Sequence, residues 1–293
     1  MKIFFAGIEG GFTKDLLAVR RFTNVFMSYY LLRTKKDNAI PKIVRENVTG
    51  LIVIDSGAHS FFSESGLHMS ASVVQKKHKT KETPDEYWHN YKGWILANFD
   101  LFDYFVELDI GELVGQDKIL KWREELKEMG VFGKCITVYH PAVVSDDDFM
   151  AMIKESESRY IGFEGFRPGK KHIDYNKYLK ICYENKVKSH GFAMTKEQVY
   201  GDYPFFSVDS TSWKAGSLWG TTRLELKNGK HKNVSFRNKK ALMGVKDLDL
   251  AALSSHNKTA CVSRDSQSVG SYLQTELFYT RLWQKRNIDF SCF

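Results

Sequence analysis

Short, almost unbroken apolar runs alternate with longer amphipathic stretches along this chain, and that rhythm limits the folds open to it. The runs are Ile3–Ala6, Leu51–Ile54, Tyr104–Leu108, Cys135–Tyr139, Tyr160–Phe163, Lys188–Phe192 and Phe205–Val208. Near-continuous apolarity over so few residues reads as strands covered on both faces, the pattern of a parallel sheet. Between them lie helical patterns with recognisable starts. Thr83-Pro84-Asp85-Glu86 combines an N-cap, a proline in the first turn and a glutamate that closes a capping box. Ser145 precedes Asp146, Asp147 and Asp148, which put acid at the positive end of a helix. Thr195 with Gln198 reads as another capping box, and helical periodicity fits Lys14–Arg33, Asp117–Met129, Tyr175–Asn185 and Val269–Arg286.

Seven strand–helix alternations, with an eighth placed beyond residue 240, predict a (β/α)8 TIM-type barrel, which needs about 250 residues. An open doubly wound sheet is the alternative. The stretch 218–237 breaks the rhythm, and its alternation around Asn228-Gly229 predicts a small β-hairpin insertion. No linker or repeat divides the chain, so residues 1–293 read as one barrel domain.

With 43% apolar and 27% charged residues, a disordered chain is excluded, and no run approaches the length of a membrane span. Glu9 interrupts the N-terminal apolar run too soon for a signal peptide. Cys135, Cys182, Cys261 and Cys292 are scattered, which favours a reducing cytoplasm over a disulfide framework. The 43 Lys and Arg against 35 Asp and Glu leave a net charge of +8, which permits a nucleic-acid partner and serves solubility equally well.

Five apolar runs end on an ionisable residue: Asp55, Asp109, His140, Glu164 and Asp209. An aspartate after a strand can simply cap the next turn. In a barrel, however, all strand C-termini meet at one mouth, and acids left unpaired near a core cost several kcal/mol each, on the order of 2–7. Such a group suits either a divalent metal or glycosyl chemistry, in which one carboxylate attacks an anomeric carbon and a second moves the proton. No His-x-His or Glu-x-x-His pair supports the metal reading, and Asp55 with Asp209 is the natural carboxylate couple.

The same residues carry a family resemblance. Ile54-Asp55-Ser56-Gly57-Ala58-His59-Ser60-Phe61 resembles the Asp-Ser-Gly-Gly-Phe-Gln element of tRNA-guanine transglycosylases, and Ser207-Val208-Asp209-Ser210 resembles their nucleophile-bearing Gly-Val-Asp element. Glu107-Leu108-Asp109 matches the strand end that recognises a guanine-like base. Tyr160–Gly165 stands where the family has Gly-Gly-Leu, and His190-Gly191-Phe192-Ala193 where it has Met-Gly-Val-Gly. The elements follow the family order over residues 50–215. The resemblance implies a (β/α)8 barrel that exchanges guanine in a nucleic acid for a free 7-deazaguanine base without cutting the backbone. It implies Asp209 as nucleophile and Asp55 as general acid/base. Asp109, His140 (where the family often has glutamine), Gly162, Phe163 and Ser56 become base-binding positions, with Gly162 admitting the ring close to the backbone.

The departures concern tRNA holding. The family's Cys-x-Cys-x-x-Cys zinc cluster is missing, so neither a structural zinc nor another cofactor is expected. Thr211-Ser212-Trp213-Lys214 replaces Pro-Thr-Arg, and Ala58 replaces the second glycine of the Asp-Ser-Gly-Gly element. These losses make DNA the expected partner, as in phage-type members that insert 7-cyano-7-deazaguanine into DNA, with tRNA as the alternative. Family members often form homodimers, and the resemblance admits one here. Lys76, Lys77 and Lys79, with Lys214 and Arg223, are candidate phosphate contacts, although a charge run is as readily a solvated face. Trp213, Trp219 and Tyr203 are candidates to stack on an extruded base, against the plainer reading of packing. A barrel that binds modified bases without turnover is a further alternative, which the presence of both Asp55 and Asp209 disfavours.

Overall fold

The computed structural model describes residues 1–10, 13–34, 39–65, 82–141, 144–165, 173–215, 218, 220–225, 231–235 and 257–293. Its strands are β1 (Lys2–Ala6), β2 (Val25–Ser28), β3 (Ile52–Asp55), β4 (Tyr104–Val106), β5 (Cys135–Tyr139), β6 (Tyr160–Phe163), β7 (Lys188–Gly191) and β8 (Ser207–Ser210). Each pairs in parallel with the next, and β8 returns to β1 with Phe4 opposite Asp209, so the sheet closes into an eight-stranded barrel. Helices follow the strands: α1 (Thr13–Val19); α2 (Tyr29–Leu32) and α3 (Ala39–Asn47); α4 (Ala58–Ser65) and α5 (Pro84–Ala97); α6 (Gly111–Val114) and α7 (Gln116–Glu128); α8 (Asp146–Glu155), α9 (Asn176–Glu184) and α10 (Glu197–Asp202). The chain ends with α11 (Lys258–Lys285), which packs on β1 and α1 and covers the flank that a helix directly after β8 would cover. This is the TIM-type α/β fold.

The eighth strand is not beyond residue 240. It is β2, inside the stretch Lys14–Arg33 that periodicity assigns to one helix. The reason lies in the local sequence. Val25-Phe26-Met27-Ser28 runs straight into Tyr29-Tyr30-Leu31-Leu32, so no polar break marks where the strand ends and α2 begins. Ser28, extended at φ −92° and ψ 122°, is the hinge between them. The hairpin insertion is present: β9 (Thr221–Glu225) pairs antiparallel with β10 (His231–Ser235), while the Asn228-Gly229 turn lies outside the described residues.

Two of the three predicted caps form. Thr83 and Glu86 make a reciprocal capping box, with the Thr83 hydroxyl accepting from the Glu86 N–H at 3.2 Å. The Ser145 hydroxyl accepts from the Asp148 N–H at 3.1 Å. The Thr195–Gln198 box does not form, because α10 starts later, after Lys196, with no side-chain cap.

One buried ion pair anchors the strand ends that matter for the site. Arg123 on α7 holds both oxygens of Glu107, at 2.6 and 2.8 Å, and Glu107 Oε1 also accepts the Val138 N–H at 2.5 Å. Glu107 therefore ties the end of β4 to β5, two residues before Asp109 on one strand and two before His140 on the other. The Glu107 side chain is 4% exposed, so Arg123→Met would leave a buried carboxylate uncompensated. The expected loss is about 3 kcal/mol at pH 7, read from denaturant unfolding, and Arg123→Met/Glu107→Leu should recover most of it.

Candidate functional site

All five ionisable strand ends meet at the C-terminal mouth of the barrel. Asp55, Asp109, His140, Glu164 and Asp209 line one cavity of about 500 Å³. Its lining also includes the apolar side chains Phe26, Val106, Val138 and Phe192, so carboxylates ring a space with flat, greasy surfaces. Such a mixture suits a planar heteroaromatic ligand with polar edges.

Asp55 ends β3 at a tight turn. Gly57 has φ +79°, and a Cβ there would fall 2.8 Å from Tyr87 Oη and 2.5 Å from Tyr30 Cβ. Only glycine fits that conformation and that space. The Tyr87 hydroxyl donates to the Ser56 carbonyl at 2.6 Å, and the Gly57 N–H donates to Asp55 Oδ2 at 3.1 Å. Burial, with Asp209 and then Glu9 as negative neighbours, raises the Asp55 carboxyl from 3.8 to about 7 despite that N–H. Ser56 lines the cavity, and its buried hydroxyl has no hydrogen-bond partner among the described residues.

Asp209, near the end of β8, is held by different partners. Its Oδ1 accepts the Ala193 N–H at 2.8 Å and lies 3.2 Å from His190 Nε2. Two neighbouring carboxyls are thus held in different settings: Asp55 carries a proton near neutrality, and Asp209 is fixed by contacts at one oxygen.

His140 lies between two acids. Its Nε2 is 2.8 Å from Asp109 Oδ1 and its Nδ1 3.1 Å from Glu164 Oε2. Burial pulls the imidazole down, but the hydrogen bonds and charges of Asp109 and Glu164 outweigh it and raise it to about 10. An imidazolium has no lone pair to offer a metal, so His140 serves this cluster as a cation between carboxylates. Its charge stabilises the fold fully below the ordinary histidine range, and that contribution is lost as pH rises through about 10.

Other expected positions fall elsewhere. Phe163 is fully buried outside the cavity, its ring packed against Tyr139, Tyr175 and Phe205 at 5.9–6.1 Å. Gly162 makes room for a side chain of this protein: a Cβ there would lie 2.4 Å from the Phe192 ring, which lines the cavity. Trp213 is 1% exposed, donates its indole N–H to the Ala6 carbonyl at 2.8 Å and packs edge-on to Phe5 and Phe22, so it has no free face for a base. Lys214 donates to the Gly7 carbonyl, and Tyr203 packs edge-on to Tyr175 at 5.5 Å. Arg223 lies on β9 opposite Asn233. Lys76, Lys77, Lys79 and Trp219 lie outside the described residues, and so does His256. Cys135 and Cys182 are buried, Cys261 is partly buried and Cys292 is exposed.

Three participants were not anticipated. Glu9, 3% exposed, lines the cavity and accepts the Ser28 N–H. His190 and Ala193 hold the nucleophile candidate. The sequence signal for His190 was a titratable side chain inside a buried strand, where an apolar residue belongs.

No protein-family model and no curated protein matches the chain. Its fold and its cavity define a TIM-type barrel, an architecture typical of enzymes, with an acid-rich centre at the strand C-termini. Among the described residues, no helix is long and apolar enough to cross a membrane.

Proposed function

We propose that the protein is a base-exchange transglycosylase that replaces guanine in DNA with a free 7-deazaguanine such as 7-cyano-7-deazaguanine. The observation that carries this reading is the pairing of Asp55, whose carboxyl is raised to about 7, with Asp209, held at one oxygen by the Ala193 N–H, in one cavity. Double displacement at a sugar needs such a pair, one carboxylate charged to attack and one carboxyl protonated to assist departure. The identity of the bases and of the polymer rests on the resemblance of the Asp55 and Asp209 elements to the transglycosylase family.

In the first step an Asp209 oxygen attacks the anomeric carbon of the nucleotide. The carbon–oxygen bond forms as the bond to the guanine nitrogen breaks, and the Asp55 proton goes to the departing base. In the second step Asp55, now a carboxylate, takes the proton of the incoming base nitrogen. That nitrogen attacks the same carbon and expels Asp209. Two inversions retain the sugar configuration, and the phosphodiester bonds are untouched. Asp109, the Ser56 hydroxyl and the His140 imidazolium supply the polar edge against which a purine-like base is read, and Phe26 and Phe192 supply apolar wall. A duplex guanine must first be extruded at a cost of about a few kcal/mol, which favours opened or single-stranded DNA.

The pH dependence follows from Asp55. The first step needs its proton, which is present below about 7 and lost above. The rate of covalent intermediate formation is therefore expected to fall on an alkaline limb centred near pH 7, a limb that the residual activity of Asp55→Asn should not show. Nucleoside mass spectrometry of DNA incubated with the protein and 7-cyano-7-deazaguanine tests the function itself. The deazaguanine nucleoside should appear as deoxyguanosine declines. Incorporation into tRNA but never into DNA would overturn the substrate assignment, and incorporation into neither would overturn the activity.

A further inference from the structure

We propose that Tyr160, Ser207 and His190 form a buried, directionally ordered hydrogen-bond relay that positions Asp209 and selects Oδ2 as its attacking oxygen. This rests on Asp209 being the nucleophile. Both polar contacts to Asp209, from the Ala193 N–H at 2.8 Å and from His190 Nε2 at 3.2 Å, fall on Oδ1. No hydrogen bond to Oδ2 is made by the described residues, so Oδ2 keeps its lone pairs for the sugar.

The relay behind it fixes which nitrogen of His190 carries hydrogen. His190 is 0% exposed, with Nδ1 2.7 Å from Ser207 Oγ. Ser207 Oγ also meets the hydroxyl of Tyr160, which makes no other hydrogen bond through that hydroxyl among the described residues. If Ser207 donated to Tyr160, the phenol proton would have no acceptor among the described residues in a buried site, which is costly. The order that leaves no hydrogen stranded runs one way. Tyr160 donates to Ser207, Ser207 donates to His190 Nδ1, and His190 Nε2–H donates to Asp209 Oδ1.

Packing holds the ring in that plane. Phe26 stacks on the imidazole at 5.2 Å with 5° between planes, and Phe192 meets it edge-on at 4.8 Å. Both rings line the cavity, so a base bound against them would also press on the ring that orients the nucleophile. Ala193 completes the arrangement, with φ 54° turning its N–H onto the same oxygen. A non-glycine residue adopts this left-handed conformation only at a cost, and its presence beside Asp209 fits a site that stores strain.

The test combines spectroscopy with kinetics on the full chain. Protein labelled with 15N at its 9 histidines, with His190→Gln used to assign the signal, should show His190 as the Nε2–H tautomer. Ser207→Ala and Tyr160→Phe should weaken that tautomer. Each should slow formation of the Asp209–sugar adduct, Ser207→Ala by about tenfold, at unchanged KM for DNA. Ser207→Thr, which restores a hydroxyl, should recover both the signal and the rate. A His190 Nδ1–H tautomer in the parent protein, or adduct formation at the parental rate in both variants, would overturn the relay. The two failures read differently: a parent protein that forms no adduct at all sinks the base-exchange reading instead.

Discussion

Asp209→Asn is expected to abolish base exchange, with a loss of about 10⁴-fold or more in rate and no covalent intermediate. The amide keeps the shape of the carboxylate and can still accept the Ala193 N–H through its carbonyl oxygen. It lacks the negative charge and the nucleophilic lone pair that form the sugar ester. Folding should survive, because the substitution adds no volume and Asp209 lies at the cavity rather than in the packed core. Unfolding near the parental temperature together with lost exchange is the expected pair of results. A variant that exchanges bases at even one-tenth of the parental rate would remove Asp209 from the chemistry.

Asp55→Asn should produce a second, differently shaped effect: less activity and more stability. Exchange should fall by about 10²- to 10⁴-fold, because the departing base loses its proton donor and the incoming base its acceptor. Stability should move the other way. The Asp55 carboxyl titrates at 3.8 when free and near 7 in the fold, so the folded state holds its proton more tightly than the unfolded chain does. Below 3.8 both states are protonated and the site costs nothing. As pH rises from 3.8 to 7 the unfolded chain alone ionises and the parent loses stability, and above 7 the penalty is constant. Asparagine never ionises. Its advantage should be absent near pH 3, grow up to about pH 7 and level off at about 4 kcal/mol. A residue that merely capped a turn would give the reverse, a loss of about 1 kcal/mol on removal. Chemical denaturation at pH 3, 5 and 8 separates the two.

What the sequence disclosed and what it hid follow from the same physics. Strands such as Cys135–Tyr139 are legible because burial on both faces leaves an apolar run with polar punctuation after it. The punctuation was the site: Asp55, Asp109, His140, Glu164 and Asp209 were readable as strand ends, and barrel closure brought them into one cavity. β2 was hidden because its apolar residues continue without interruption into α2, and a helical period can be fitted across both. Side-chain direction was hidden more deeply. Phe163 adjoins Glu164 in sequence, yet strand alternation sends it to the outer face. Trp213 stands four residues after Asp209, and only the three-dimensional structure shows its indole inside the core. The pairing of His190 with Asp209 depends on strand register, with His190 opposite Ser207 across β7 and β8.

The most direct measurement is the mass of the protein after reaction with a guanine-containing DNA oligonucleotide in the absence of free base, denatured and digested with nuclease and protease. The account predicts a sugar-phosphate adduct on the peptide that carries Asp209, with one guanine released per adduct and the adduct discharged when 7-cyano-7-deazaguanine is added. Guanine exchange that proceeds with no adduct, or an adduct on any residue other than Asp209, would contradict it.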